Sequence, residues 1–180
     1  MLNALARQVA RPLARPLLKP ATTSAADFDF LMGIWRVQHR YRVRRLAGCN
    51  DWIEFEGTCA ARKILGGLGN TDENDIAMPG GRYTGMSLRL WDPERERWTI
   101  NWLDSRRPGL IGPAVSGGFS QRPDGPFGIF HGDDELDGRA IRVRYIWSRI
   151  GEEGARWEQA FSADEGNSWE TNWYMDFTRV

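Results

Sequence analysis

From Trp35 onward, apolar and polar positions alternate with a period of two. The run "WRVQHRYRVRR" sets Trp35, Val37, His39, Tyr41 and Val43 on one face and Arg36, Gln38, Arg40, Arg42 and Arg44 on the other. That pattern predicts a half-buried strand. The next run, "WIEFEGTCA", alternates Ile53, Phe55, Gly57 and Cys59 against Glu54, Glu56 and Thr58. If the two strands pair, outward glutamates face outward arginines, a wet surface laced by cross-strand ion pairs. The period recurs in Trp98, Ile100, Trp102 and Asp104, in Phe127, Ile129, His131 and Asp133, and in Ile141, Val143, Tyr145 and Trp147. It recurs again in Trp157, Gln159 and Phe161, and in Trp169, Thr171, Trp173, Met175 and Phe177. Turn signals part the runs: Asp92-Pro93-Glu94-Arg95, Pro123-Asp124-Gly125, Asp137-Gly138, Gly151 to Gly154, and Asp164 to Asn167.

No helical period longer than two turns interrupts this series. The chain is expected to be all-β, a single closed antiparallel up-and-down barrel of about eight to ten strands. Closure removes the sheet edges, and at that strand number the interior holds side chains plus one small ligand. The barrel domain is assigned to residues 27–180. Residues 1–26 carry Arg7, Arg11, Arg15 and Lys19, no acid, and three prolines, and are expected to form a basic flexible arm.

Composition narrows the picture further. At 180 residues the chain is about one domain, and 41% hydrophobic with 27% charged residues is ordinary for a globular protein. Nine tryptophans are not ordinary: they either fill a wide core or line a cavity. The formal net charge is zero, and beyond the arm the chain carries 20 bases against 24 acids, which argues against nucleic acid as a partner. No apolar run approaches the roughly 18 residues of a transmembrane helix, and the opening lacks the apolar segment of a secretory signal. The two cysteines, Cys49 and Cys59, show no CxxC spacing, so neither zinc nor a disulfide scaffold is expected, and a reducing, cytoplasmic compartment is.

One short stretch raises a question about sugars. In "SADEGNSWETNW", Ser162, Asp164, Gly166 and Trp169 fit the Asp-box pattern that recurs in sialidase propellers. A propeller needs at least four blades of about 40–50 residues each, with the motif repeated, and here it occurs once. The expected role is a hairpin staple, with Asp164 accepting backbone N–H groups, Gly166 at positive φ and Trp169 packed beneath.

Gly33-x-Trp35 in "DFDFLMGIWRV" and the closing "MDFTR" resemble the calycin superfamily of lipocalins and fatty-acid-binding proteins. There a Gly-x-Trp opens the barrel and a basic residue near the final strand packs across the tryptophan; Arg179 is the matching position. The ordered set "EGTC", "GGLGN", "LRLWDPERERWTINWLD", "FHGDDELDGRAIRVRYIWS" and "WEQAFSADEGNSWETNW" is similar to a bacterial lipocalin-like family of unassigned function, over residues 28–179. The resemblance implies the barrel and leaves the chemistry open. Nitrobindin-like relatives hold haem iron through a histidine near the last strands; no histidine follows His131 here, so that role does not carry over and no cofactor is expected.

If the mostly apolar face of each strand points inward, the polar residues on it are His39, Tyr41, Asp104, His131, Asp133, Tyr145, Gln159 and Thr171. Left unpaired, each would cost about 1–3 kcal/mol, so they bond to each other, to water or to a ligand. One reading makes the histidines satisfied core or rim residues, with Asp104 and Asp133 at strand ends. A second makes the barrel a binding site for a small hydrophobic or aromatic ligand, walled by Trp35, Trp102, Trp147, Trp157 and Trp173 and oriented by Tyr41, Asp104 and Gln159. Arg106 and Arg107, in the irregular stretch 104–118, would then favour a carboxylate-bearing ligand at the portal. The glycine-rich stretch 63–74 would be a flexible wall or lid at the same mouth. A third reading makes the protein a cofactor-free isomerase, lyase or hydratase. His131 and Asp133, about 7 Å apart on one strand face, form the acid/base pair, with the distant His39 as a further member and Tyr145 or Tyr41 as the acid. The two histidines with Asp133 also match the residue types of a two-His-one-carboxylate iron site, but in reversed order, and no metal is expected. A scaffold that pairs as a homodimer through the barrel surface is the remaining class.

Overall fold

The structure, a computed structural model, describes residues 23–180. A short 3-10 turn, Asp29–Leu31, leads into ten strands: β1 (Gly33–Arg42), β2 (Trp52–Ile64), β3 (Gly69–Ile76), β4 (Tyr83–Asp92), β5 (Arg97–Asp104), β6 (Val115–Arg122), β7 (Gly125–Leu136), β8 (Arg139–Ser148), β9 (Gly154–Ser162) and β10 (Glu170–Arg179). Each pairs antiparallel with its sequence neighbours, and β1 closes the barrel against β10. The expected up-and-down barrel is what forms. Arg40 lies opposite Glu54 in the β1–β2 register, 3.8 Å from it across an exposed face. Outside the same hairpin, Trp52 is flanked by the guanidinium groups of Arg40 and Arg42 at 4.7 and 4.8 Å.

One end of the barrel is sealed by the segment that precedes β1. Phe28 and Leu31 are fully buried, each contributing about 1.5–3 kcal/mol of apolar burial. The Phe28 ring meets Trp98 and Phe119 edge-on at 5.0 and 4.9 Å. The indole of Trp35 donates to the Leu31 carbonyl at 2.7 Å. Above that indole, at 3.9 Å, lies the Arg179 guanidinium, which donates to the carbonyls of Phe30 and Met32 at 2.8 Å each and of Glu152 at 2.9 Å. Most of the expected N-terminal arm, residues 1–22, lies outside the described residues. Its last residues do not form an arm: Thr23 exchanges hydrogen bonds with the backbone of Phe119, and Trp98 donates to the Ser24 carbonyl. The ordered domain therefore starts at least four residues before the expected boundary at residue 27.

Three expectations need correction. On β7 the inward residues are Gly128, Phe130 and Gly132, so His131 and Asp133 face outward, opposite Arg144 and Arg142. The glycines explain the reversal: a Cβ on Gly128 would stand 2.7 Å from the Phe119 ring, which needs that space. Residues 63–74 are not a lid at the mouth. They form the β2–β3 hairpin at the sealed end, where Lys63 pairs with Asp29 at 2.8 Å. On β10, a bulge between Thr171 and Trp173 shifts the phase, burying Asn172 and turning Trp169 outward against His131.

The turn over residues 162–169 forms the expected staple. Ser162 donates to Asp164 at 2.7 Å, Asp164 accepts the Ser168 N–H at 2.9 Å, Gly166 has φ 93°, and the Trp169 indole donates to the Gly166 carbonyl at 3.0 Å. These bonds hold the Asp164 carboxyl down at about 2, first through Ser162 and then through Ser168.

Candidate functional site

Opposite the sealed end, the barrel opens into a cavity of about 680 Å³, within the about 300–1,000 Å³ usual for small-molecule sites. Its aromatic wall centres on Trp173 of β10. That ring meets Tyr41 of β1 at 5.3 Å, Trp157 of β9 at 5.6 Å and Trp102 of β5 at 6.3 Å, all edge-on. Tyr145 of β8 packs against Trp157 at 4.9 Å. Trp147, also on β8, lies toward the floor, 6.1 Å from Phe28 of the plug. The inward phase of β1, β5, β8 and β9, fixed by their alternation, brings these rings together.

The mouth is built from the 104–114 connection. Arg106 binds Asp104 through two side-chain contacts of 3.1 and 2.7 Å, and the Trp102 indole donates to the same carboxylate at 3.2 Å. The Arg106 bonds foremost, with Trp102 adding, hold the Asp104 carboxyl at about 2. The Arg106 guanidinium also stacks on Tyr83, 3.7 Å from the ring. Burial pushes the Tyr83 hydroxyl up to about 12 and the Tyr145 hydroxyl up as well, so both stay neutral donors. Gln159 lines the wall and donates to Asn172 at 2.8 Å. Of the residues expected from the sequence, Tyr41, Trp102, Asp104, Arg106, Trp147, Trp157, Gln159 and Trp173 line this cavity, and so does Tyr145; Trp35, expected on the same wall, lies at the sealed end against the Leu31 carbonyl and does not.

The expected acid/base residues do not meet there. His39 is 1% exposed, stacked 4.7 Å from Phe55, and its Nδ1 accepts the Trp173 indole N–H at 3.1 Å. That bond puts the proton of the neutral imidazole on Nε2. Burial pushes its pKa down to about 4, which leaves a weak base at neutral pH, and it does not line the cavity. His131 is on the outer wall, 5.7 Å from Trp169, its pKa lowered by burial and by Arg144 and Arg142. Asp133 binds Arg142 at 2.8 Å with its side chain 83% exposed. Among the described residues, no group of three or more His, Cys, Asp or Glu is placed to hold a metal ion.

The sequence reading missed the polar floor. Asp72 and Asn74 of β3 and Ser87 and Arg89 of β4 line the cavity, all four buried. Arg89 pairs with Asp72 and donates to Asn70 at 3.1 Å. The other Asp72 oxygen accepts from Asn74 at 2.7 Å and from the Ser87 backbone N–H at 2.9 Å. The Arg89 guanidinium lies 5.1 Å from the Phe28 ring and 5.9 Å from that of Trp147, which places the pair on the plug. The sequence signal is "YTGMSLRLW", where Tyr83, Gly85, Ser87 and Arg89 alternate and only the last is charged. On β3 both faces are polar, so alternation selects neither.

Compared with known proteins, the chain matches no family model and no curated protein.

Proposed function

We propose that this protein binds a small hydrophobic or aromatic molecule inside its barrel. The observation that carries the reading is the cavity itself: one end sealed by an aromatic plug, the other open, four tryptophans in the lining and a few buried polar groups at the floor. This is the make-up of a ligand site, apolar in the main with a few polar groups that fix orientation. Arg179 across Trp35 supports the calycin likeness. The two buried free thiols, Cys49 and Cys59, accord with a reducing, cytoplasmic setting. Among the described residues, no helix is long and apolar enough to cross a membrane. The acid/base alternative gains no support, since His131 and Asp133 stand outside the barrel.

The test is tryptophan quenching and thermal shift, titrating the purified protein with a panel of aromatic and isoprenoid compounds. Wild type is compared with His131→Ala and Trp102→Phe. Saturable quenching that survives His131→Ala and weakens in Trp102→Phe is expected. A panel that neither quenches nor shifts the melting temperature of the folded protein overturns the reading.

A further inference from the structure

Every charged side chain deep in the cavity already has its counter-ion. Arg89, 4% exposed, is paired with Asp72, 3% exposed, and Asp72 is fixed in turn by Asn74 and the Ser87 backbone. Arg106 is paired with Asp104 at the mouth. The remaining charges are at the rim, where Arg45 and Arg107 are outnumbered by Asp134, Glu135 and Asp137. The lining as a whole thus carries four arginines and five carboxylates.

A carboxylate carried to the floor of this barrel would shed its hydration and meet no unpaired cation there in return. The attraction of Arg89 would be offset by the repulsion of Asp72 beside it. A neutral group fares better. Asn70 and Asp72 take one N–H each of the five that a guanidinium carries. Close by is the Trp147 indole N–H, buried and without a hydrogen-bond partner among the described residues. Acceptors such as a carbonyl or an amide oxygen match donors of this kind without importing a charge.

We infer that the cavity takes an uncharged aromatic ligand bearing a carbonyl or amide, and that Asp72, by neutralising Arg89, is the residue that excludes the corresponding acids. The inference rests on the binding function proposed above. It also makes the site invertible. Asp72→Asn keeps a side-chain oxygen for Asn74 and the Ser87 N–H but leaves Arg89 without its counter-ion, so the same barrel would then select the acid.

The experiment uses one matched pair, 2-naphthylacetamide and 2-naphthylacetate, titrated into wild type and Asp72→Asn with tryptophan quenching and thermal shift as readouts. In wild type the amide should bind about tenfold or more tighter than the carboxylate. In Asp72→Asn the order should reverse, with the carboxylate raising a lowered melting temperature more than the amide does. Equal or tighter carboxylate binding in wild type overturns the inference while leaving a binding protein, and needs no variant to fold. An unchanged preference in a folded Asp72→Asn overturns Asp72 as the selector. If neither compound binds either form, the inference fails, and silence across the wider panel is what would remove the binding function as well.

Discussion

His39 predicts a pH dependence that can be worked out from its surroundings. The imidazole is sealed between Phe55 and Trp173, and burial lowers its pKa from 6.5 to about 4. Above about pH 6.5, both folded and unfolded chains hold a neutral ring, and this group leaves stability flat. As pH falls below that value, the unfolded chain takes up a proton that the folded one refuses. Stability then drops by up to about 1.4 kcal/mol per pH unit. The drop reaches about 3 kcal/mol near pH 4, where the folded state begins to protonate as well and the slope has halved, dying away below that pH. The carboxylates with lowered pKa fall in another window. Asp104 and Asp164, held at about 2, lose their contribution only as pH falls below the usual 3.8. His131 is lowered too, with the same sign as His39, but it is partly exposed on the outer wall and adds less. Urea unfolding between about pH 7 and pH 4.5 checks this, with wild type compared to His39→Asn, which keeps an acceptor for the Trp173 indole, and to His131→Asn. His39→Asn should flatten most of the slope and His131→Asn little of it. Parallel losses in wild type and His39→Asn would refute the reasoning.

Two further predictions concern the sealed end. Gly128→Ala places a methyl group where the Phe119 ring sits and should cost about 1–3 kcal/mol by calorimetry, the plug aromatics shifting with it; an unchanged melting temperature contradicts that packing. Arg179→Met removes a guanidinium that holds three backbone carbonyls and covers Trp35, and should cost on the order of 3 kcal/mol. The same variant should speed hydrogen exchange at the Trp35 indole, and unaltered exchange would mean the cap holds without it.

The barrel was legible because most strands set large apolar residues against charged ones. On β1, Trp35 and Val37 alternate with arginines, and only one phase buries the apolar set. Strand β7 was misread for the opposite reason. Its outward face carries Phe127 and Ile129, its inward face is largely glycine, and the deciding factor is the Phe119 ring arriving from β6. A single strand holds no record of that neighbour. The wall residues of the cavity followed from strand phase, so they were found. The Asp72–Arg89 floor was not, because "GNTDENDI" is polar at nearly every position and its inward side is defined only by pairing with β4. The bulge at Thr171–Trp173 escaped likewise, since an inserted residue leaves no mark on composition.

Closure of β1 on β10 has a consequence for how the chain comes off the ribosome. Nine of the ten seams join strands adjacent in sequence and can zip up in order as hairpins emerge. The tenth joins the first strand of the barrel to its tenth, so β1 keeps a naked edge until β10 has been made and is free to pair. Until then the nascent sheet resembles an open ribbon with arginines along its leading strand. The exposed pair Arg36 and Arg40, which in the finished barrel belongs only to a wet outer wall, would during that interval act as charge gatekeepers against edge-to-edge pairing between neighbouring nascent chains.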